Sequence, residues 1–590
     1  MRFAMADIAG LAEVAALPGL EEATADLVHA VLEEAGKFAG EILAPLNPVG
    51  DRQGARIVDG KVATPAGWRD AYRAFTEAGW NGLVFDPEWG GQGLPWLVNA
   101  AAQEMWHAAN MAFGVCPMLT QGAIEAVLFH GSEDQKRLYL PKLVSGAWTG
   151  TMCLTEPQAG SDLATVRTRA VPDGERYRIT GSKIYISYGD HDLADNIVHL
   201  VLARTPDAPE GVKGLSLFVV PKFLPEADGQ PGRANDLRCV SLEHKLGIHG
   251  SPTATMAFGD AGGAVGWLVG QENRGLEYMF TMMNMARLSV GLEGVAIAER
   301  SYQAAAAYAH ERVQGRVVGG RSAGSAAIVG HMDVRRMLLD MKARTEAMRA
   351  VAYGCAASLD VAHRHPDAAE RARALMQVEL LTPIVKGWCT EWGVTVASTG
   401  LQVFGGMGYV EETGAAQFLR DARIATIYEG TTGIQANDLV GRKVIRDGGA
   451  GIGDLIAVMR DSLGALPVDG TGPLPAIRAS VERAVGSLES AVAWLIEADR
   501  LDRRLPLAAA VPFLELAGTV LGGHEMARAA ARAEAMFGSA DADPDFLKGK
   551  LAAAIHYALS ILPRADALLL AVTEGSQAVI ECPEAAFDIR

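Results

Sequence analysis

Arg420–Val444 reads RDARIATIYEGTTGIQANDLVGRKV and sets one carboxylate, Glu429, on a short glycine-containing turn. Ile424, Ala425, Thr426 and Ile427 precede it; Gly430, Thr431, Thr432 and Gly433 follow, and helical spacing then begins at Ile434, Leu439 and Val440. A carboxylate held against apolar neighbours loses solvation, which favours its neutral form and tunes it to accept a proton near neutral pH. The chemistry implied is proton abstraction. The plainer role is a solvated acid at a helix start, where the dipole favours negative charge. The stretch alone leaves both open.

Four other stretches carry ligand-binding chemistry, each with a plain alternative. Thr151–Asp162 (TMCLTEPQAGSD) mixes hydroxyls with Gly160 and offers backbone N–H groups to an anionic or polar ligand, or is an ordinary turn. Gly181–Ser187 (GSKIYIS) reads as a strand with Tyr185 and Ser187 on one face, able to stack on and hydrogen-bond a flat heterocycle, or simply a strand's outer face. Gln402–Gly406 (QVFGG) follows a long helix; its glycines allow close backbone approach, or form a C-cap. Arg287 in MNMARLSVG and Arg312 in HERVQGR read by themselves as solvated or ion-paired surface arginines, and His249 and His310 as structural histidines.

The elements that must position these residues follow from pattern. A chain of 590 residues, 49% hydrophobic and 21% charged, is globular and too long for one core, so about three or four domains are expected. Residues 1–150 read as helices: Leu20–Leu43, Trp68–Gly79, Trp96–Phe129, and one capped by Ser132 that runs to Pro141, with Asp86–Pro95 as a loop. Residues 151–270 form a β-domain, sandwich or barrel, with runs at Tyr177–Ile179, Lys183–Ser187, Ile197–Ala203, Leu215–Val220, Thr253–Phe258 and Gly266–Val269. Residues 271–446 form a helical bundle of Tyr278–Gln314, His331–His363 and Ala368–Gly400, with Met279–Met285 as core. Asp447–Asp454 and Pro467–Pro475 are linkers into a C-terminal helical extension, 447–590, built from Ala476–Leu501, Leu505–Phe537 and Phe546–Thr573. The fold class is mainly α with a central β-domain.

Composition excludes some functions. The net charge of −17 is spread without a basic block, which argues against a nucleic-acid partner. Cys116, Cys153, Cys239, Cys355, Cys389 and Cys582 form no CxxC pair and no zinc-ligand spacing, so reduced thiols, no metal site and a cytoplasmic location are expected. The N-terminus is a poor signal peptide, and no stretch reaches about 18 uninterrupted apolar residues, so no transmembrane segment is expected.

TEPQAGSD, GSKIYIS, KLGIHGSPT (245–253), ARLSVG, AHERVQGR, QVFGGMGY and RDARIATIYEGTTGIQ together resemble, in order and approximate spacing, the acyl-CoA dehydrogenase family from about residue 80 to 445. With its extension and its IYEGTTGIQANDLVGRK form, the chain looks most like the 3-methylthiopropionyl-CoA dehydrogenase subfamily; very-long-chain members also carry an extension. The resemblance implies an N-terminal helical domain, a middle β-domain and a four-helix bundle, with FAD between the last two. It implies Glu429 as catalytic base, taking the α-proton of an acyl-CoA while the β-hydrogen leaves as hydride to flavin N5, and giving the trans-2-enoyl-CoA. The base's own backbone N–H and a flavin hydroxyl would stabilise the thioester oxygen.

By the same resemblance Met152, Leu154, Thr155, Tyr185, Ile186 and Ser187 would hold the flavin side of FAD, Gly160 would also bind the cofactor, and Ser161 would meet the cofactor phosphates or the CoA. Arg312, Gln314, Gln402, Gly405 and Gly406 would hold its ADP half, across a homodimer interface, and Thr431 would also touch it. Ser161, Asn284, Arg287 and Gly430 would meet the substrate. Electron-transferring flavoprotein would be the acceptor. Some relatives carry the base immediately before the arginine matching Arg287, where this chain has Ala286, which leaves Glu429. Tyr185 stands where many relatives have Trp, Gly433 where many have Gln, and Asn284 where some have Asp. A broad or long-chain fatty acyl-CoA dehydrogenase, an acyl-CoA oxidase and a DNA-associated flavoprotein share the pattern; the acids throughout 450–590 rank the last low.

Overall fold

A computed structural model of the chain describes residues 1–319, 324–539 and 542–589. Its contacts define two compact units, Asp26–Ser289, and Met1–Ala25 with Val290–Arg590.

Asp26–Ser289 begins with helices. Ser132 makes a full capping box with Gln135, and the helix it starts, Glu133–Val144, continues past Pro141 instead of stopping there. Buried Tyr139, Leu140, Leu143 and Val144 anchor that last turn against the loss of one backbone bond. The Trp96–His130 helix breaks at Asn110 (φ −157°, ψ 88°), whose side chain accepts from the Phe113 N–H and recaps the second half. A hairpin absent from the sequence reading pairs β1 (Arg56–Val58) with β2 (Lys61–Ala63) across Asp59-Gly60, both at positive φ, a dipeptide suited to that turn.

The sheet contains β3 (Trp148–Cys153), β4 (Arg169–Asp173), β5 (Arg176–Ser187), β6 (Asn196–Ala203) and β7 (Ser216–Pro221). A separate pair joins β8 (Phe223–Pro225) to β9 (Pro231–Ala234); β10 (Leu237–Leu242), β11 (Thr253–Phe258) and β12 (Ala264–Val269) complete the sheet. The strand order is β10-β11-β5-β12-β7-β6-β3, with β4 added on β5. β3 and β6 pair in parallel; the other pairs in this sheet are antiparallel. Every residue of β6 and β7 is buried, hence their largely apolar runs, interrupted in β6 by the buried His199. Tyr177–Ile179 and Lys183–Ser187, expected as two strands, are one: Gly181 and Ser182 continue the ladder opposite Phe258 and Ala257. Gly150 in β3 meets the Trp96–His130 helix so closely that a Cβ there would lie 2.3 Å from that of Ala123.

In the second unit the helices Met332–Arg364 and Ala368–Phe404 pack together, and Arg504–Met536 packs on both. Trp388 is seated on two glycines of the latter: a Cβ at Gly518 would lie 2.3 Å from its ring and one at Gly522 2.8 Å. Asp447–Asp454, expected as linker, is corrected: the helix Ala450–Gly464 begins inside it, with the Asp447 carboxylate accepting from the Gly449 and Gly451 N–H groups. Phe3 and Ile8 cluster with Ala529, Ala533 and Leu547, and Asp7 pairs with Arg532 at 2.7 Å.

Trp96–His130, Arg504–Met536 and Pro544–Glu581 are long and apolar enough to cross a membrane by length and composition, though none is an unbroken apolar run. Their apolar windows are 89%, 67% and 33% buried inside the fold.

Candidate active site

Within Asp26–Ser289 the loop after β3 and the end of β5 are stapled by a buried ion pair. Lys183, fully buried, donates to Glu156 Oε1 at 2.8 Å and to the Leu154 carbonyl at 2.9 Å. Glu156 also accepts from the N–H groups of Arg167 and Thr168, the Thr168 hydroxyl and the Gln158 amide. Burial pushes its carboxyl up, but the Lys183 charge and these hydrogen bonds outweigh that and hold it at about 2. The staple fixes Thr155, whose carbonyl accepts from the Ile184 N–H at 2.9 Å.

β5 is irregular at that point. Lys183 pairs with Met256 and Ile186 with Ala254, three steps on β5 against two on β11, which is a bulge. Tyr185 sits on the bulge at φ +59° and is 61% exposed. So the expected regular alternation of Tyr185 and Ser187 is replaced by a displayed ring, with Ser187 half-buried beyond it. The Ile186 side chain points instead into the sheet's core. Met152 is buried, Leu154 and Thr155 are half-buried, and Gly160 and Ser161 are exposed.

Asn284 is exposed on the Gly275–Glu311 helix, whereas Arg287, expected at the surface from its residue type, is 5% exposed with its guanidinium 5.8 Å from the Phe280 ring centre. Ala286 is buried, as are Met279 and Met282 of the Met-rich run.

The second unit carries Glu429 at φ +55° and Gly430 at φ +89°, two left-handed residues in succession. For glutamate that conformation is strained and needs outside support. Lys386, fully buried, donates to the Gly430 carbonyl at 2.6 Å; Gln435 donates to the Glu429 carbonyl at 3.0 Å. Tyr428 O–H donates to Glu293 Oε2. Burial and the nearby Glu429 push the Glu293 carboxyl up, Tyr428 and Lys386 pull it down, and it lies at about 8. Thr431 caps the short helix Thr432–Asp438 by accepting from the Ile434 N–H. Glu429 itself is half-buried.

Arg312, Gln314, Gln402, Gly405 and Gly406 are exposed, and a 4.4 Å stack of Tyr308 on Phe404 ties the two segments into one patch. Gln314 is fixed by backbone pairing with Ala326 and by His331, which hydrogen-bonds its carbonyl.

The donor set fits FAD. Tyr185 offers an aromatic face, Thr155, Ser161 and Ser187 offer hydroxyls, and Arg312, Gln314 and Gln402 offer charged and amide donors. A Cβ placed on Gly160, Gly405 or Gly406 would meet nothing within 4 Å, which leaves room for a ligand along those backbones. Glu156, Lys183, Glu293, Lys386 and Gln435 were missed as site residues. For Lys386 and Glu293 the available signal was a lone charge inside a small or apolar helical run, TPIVKGWC and SVGLEGVA.

A displayed aromatic ring with hydroxyls in one unit, and a carboxylate on a strained turn in the other, are groups that a flavin-dependent dehydrogenase of an activated acyl group could use. The comparisons agree. Acyl-CoA dehydrogenase models match over 28–147 (N-terminal domain), 151–261 (middle domain) and 273–444 (C-terminal domain), and an acetyl-CoA dehydrogenase C-terminal-like model over 452–583. The chain is 48% identical over 98% of its length, and 97% of the relative's, to 3-methylmercaptopropionyl-CoA dehydrogenase of Ruegeria pomeroyi. It is 33% identical to a butyryl-CoA dehydrogenase of Syntrophomonas wolfei, covering 95% of this chain and 94% of that one. An acyl-CoA dehydrogenase structure from Bacillus anthracis shares the fold, with TM-score 0.74 at 20% identity over 95% of this chain and 90% of that one. The chain belongs to the acyl-CoA dehydrogenase family and is an FAD-dependent enzyme that dehydrogenates acyl-CoA thioesters.

Proposed function

We propose that the chain oxidises 3-methylthiopropionyl-CoA to its trans-2-enoyl-CoA, with Glu429 as the base. The acyl group is carried by the similarity to the Ruegeria pomeroyi protein across nearly the whole chain. The role of Glu429 is carried by its setting, a single half-buried carboxylate on a turn held by buried side chains.

A thioester acidifies its α C–H bond. The Glu429 carboxylate takes that proton and holds it as the neutral acid, while its own backbone N–H donates to the thioester oxygen as charge builds there. Bound FAD supplies the two-electron acceptor for the hydrogen leaving the β-carbon. On this reading Tyr185, Thr155 and Ser187 hold and orient the flavin, with Met152, Leu154, Gly160, Ser161, the Ile186 backbone and Thr431 around it. Arg312, Gln314, Gln402, Gly405 and Gly406 hold the ADP half, and Ser161, Asn284, Arg287 and Gly430 meet the CoA thioester.

The patch that carries Arg312 and Gln402 also exposes Val313 (53%), Met407 (47%) and Tyr409 (93%). Apolar groups of that size beside polar ones support a homodimer that buries them. Electron-transferring flavoprotein is the acceptor we assign, in a cytoplasmic setting.

The test is anaerobic bleaching of the flavin absorbance by 3-methylthiopropionyl-, butyryl-, octanoyl-, palmitoyl- and phenylpropionyl-CoA. The expected result is fastest bleaching by the first. Faster bleaching by octanoyl- or palmitoyl-CoA overturns the acyl assignment in favour of a fatty acyl-CoA enzyme.

A further inference from the structure

Behind the Glu429 turn lies a group of buried polar side chains to which the reaction as described gives no task. Glu293, on the Gly275–Glu311 helix, receives the Tyr428 hydroxyl. Lys386, on the Ala368–Phe404 helix, reaches the Gly430 carbonyl, and Gln435, on Thr432–Asp438, reaches the carbonyls of Glu429 and Gly430 at 3.0 and 3.4 Å. All three are 0% exposed. Three consecutive residues, 428 to 430, are therefore each gripped by a buried polar group, and the grips come from three separate helices.

Stability does not explain this choice of residues. Burying a lysine and a glutamate costs more solvation than burying hydrophobic side chains of the same volume. The arrangement instead holds a non-glycine residue in the left-handed region, where the chain left to itself would relax. It also directs charge: the Lys386 cation and the Tyr428 hydroxyl, which donates to Oε2, both favour the charged form of Glu293, against burial and the nearby Glu429.

We propose that Glu293, Lys386 and Gln435 are positioning residues for the base, Glu293 acting through Tyr428, and Lys386 and Gln435 acting through the backbone carbonyls of Gly430 and Glu429. The proposal rests on Glu429 being the base. It places the specific geometry of proton transfer in side chains that touch neither the substrate nor the flavin.

The experiment compares FAD-loaded K386M, E293L, E293Q, Y428F and E429Q for flavin content, kcat and KM. Misplacing a base by about an ångström costs on the order of 10²-fold in rate. The expected result is a fall in kcat of ~10-fold or more in K386M, E293L and Y428F, with KM within ~3-fold and flavin content retained, and recovery of most of the loss in E293Q relative to E293L. A kcat within ~2-fold of the parent in K386M and E293L, while E429Q is inactive, overturns the positioning proposal and leaves Glu429 as base. Loss of flavin in step with kcat also overturns it, since that is a structural role. An active E429Q overturns the reading of the base itself.

Discussion

Glu156 and Glu293 are both buried glutamates beside a buried lysine, and they lie on opposite sides of neutrality. Glu156 is surrounded by donors: two backbone N–H groups, a hydroxyl, an amide and the Lys183 ammonium. Its charged form is the satisfied one, and the carboxyl stays near 2. Glu293 meets a tyrosine hydroxyl, while Lys386 spends a hydrogen bond on the Gly430 carbonyl and a second carboxylate, Glu429, stands nearby. Burial wins there, and the carboxyl rises to about 8. Residue type does not decide charge; the number of donors and the sign of the neighbour do. The first arrangement closes a loop permanently. The second surrounds the group proposed to change its own charge during turnover.

Lys183→Met breaks the first pair and should have the largest effect. It leaves Glu156 buried without its cation, which costs about 3–5 kcal/mol, read as a fall in urea midpoint together with loss of flavin. Lys386→Met should do the reverse: a fall in kcat with the flavin retained. Next in size is the contrast between amide variants. Glu156→Gln puts an NH₂ group among donors and should destabilise by about 1–3 kcal/mol. Glu293→Gln replaces a carboxyl already protonated at pH 7 and should cost about 1 kcal/mol or less by the same urea titration.

The smallest effects are in pH dependence. Glu156, lowered from its unfolded value, contributes stability present above pH 4.5 and lost as pH falls through about 2. Glu293 and Glu125, both raised by burial to about 8, act with the opposite sign. The folded state holds more protons between pH 4.5 and 8, so their share of stability is present below pH 4.5 and falls as pH rises through 8. Thermal melts of E125Q across that range should show a shallower decline than the parent; an unchanged slope would show that Glu125 carries no such proton.

How much of this was legible follows from locality. Ser132 and Gln135 announce a helix start because the capping box is contained in four residues. The Glu429 turn was visible because its glycine and the helix after it are adjacent in sequence. The union of β5 was not, because Gly181 and Ser182 look like turn residues until Phe258 and Ala257 pair with them. The strain at Tyr185 arises from a register mismatch between strands some 70 residues apart and leaves no mark within GSKIYIS. The helix inside DGGAGIGD was hidden by its glycines, and only the Asp447 carboxylate shows how it starts. Lys386 and Glu293 were present as lone charges in small or apolar runs, but their partners, like the Glu156 partner of Lys183, are supplied by distant segments.

The measurement that tests the account most directly is single-turnover flavin reduction by 3-methylthiopropionyl-CoA, without oxygen, in Glu429→Gln. The account predicts an unchanged flavin spectrum before mixing and a bleaching rate lower by more than ~10²-fold, the loss expected of a general base. Bleaching within ~3-fold of the parent would contradict it and move the base to another residue.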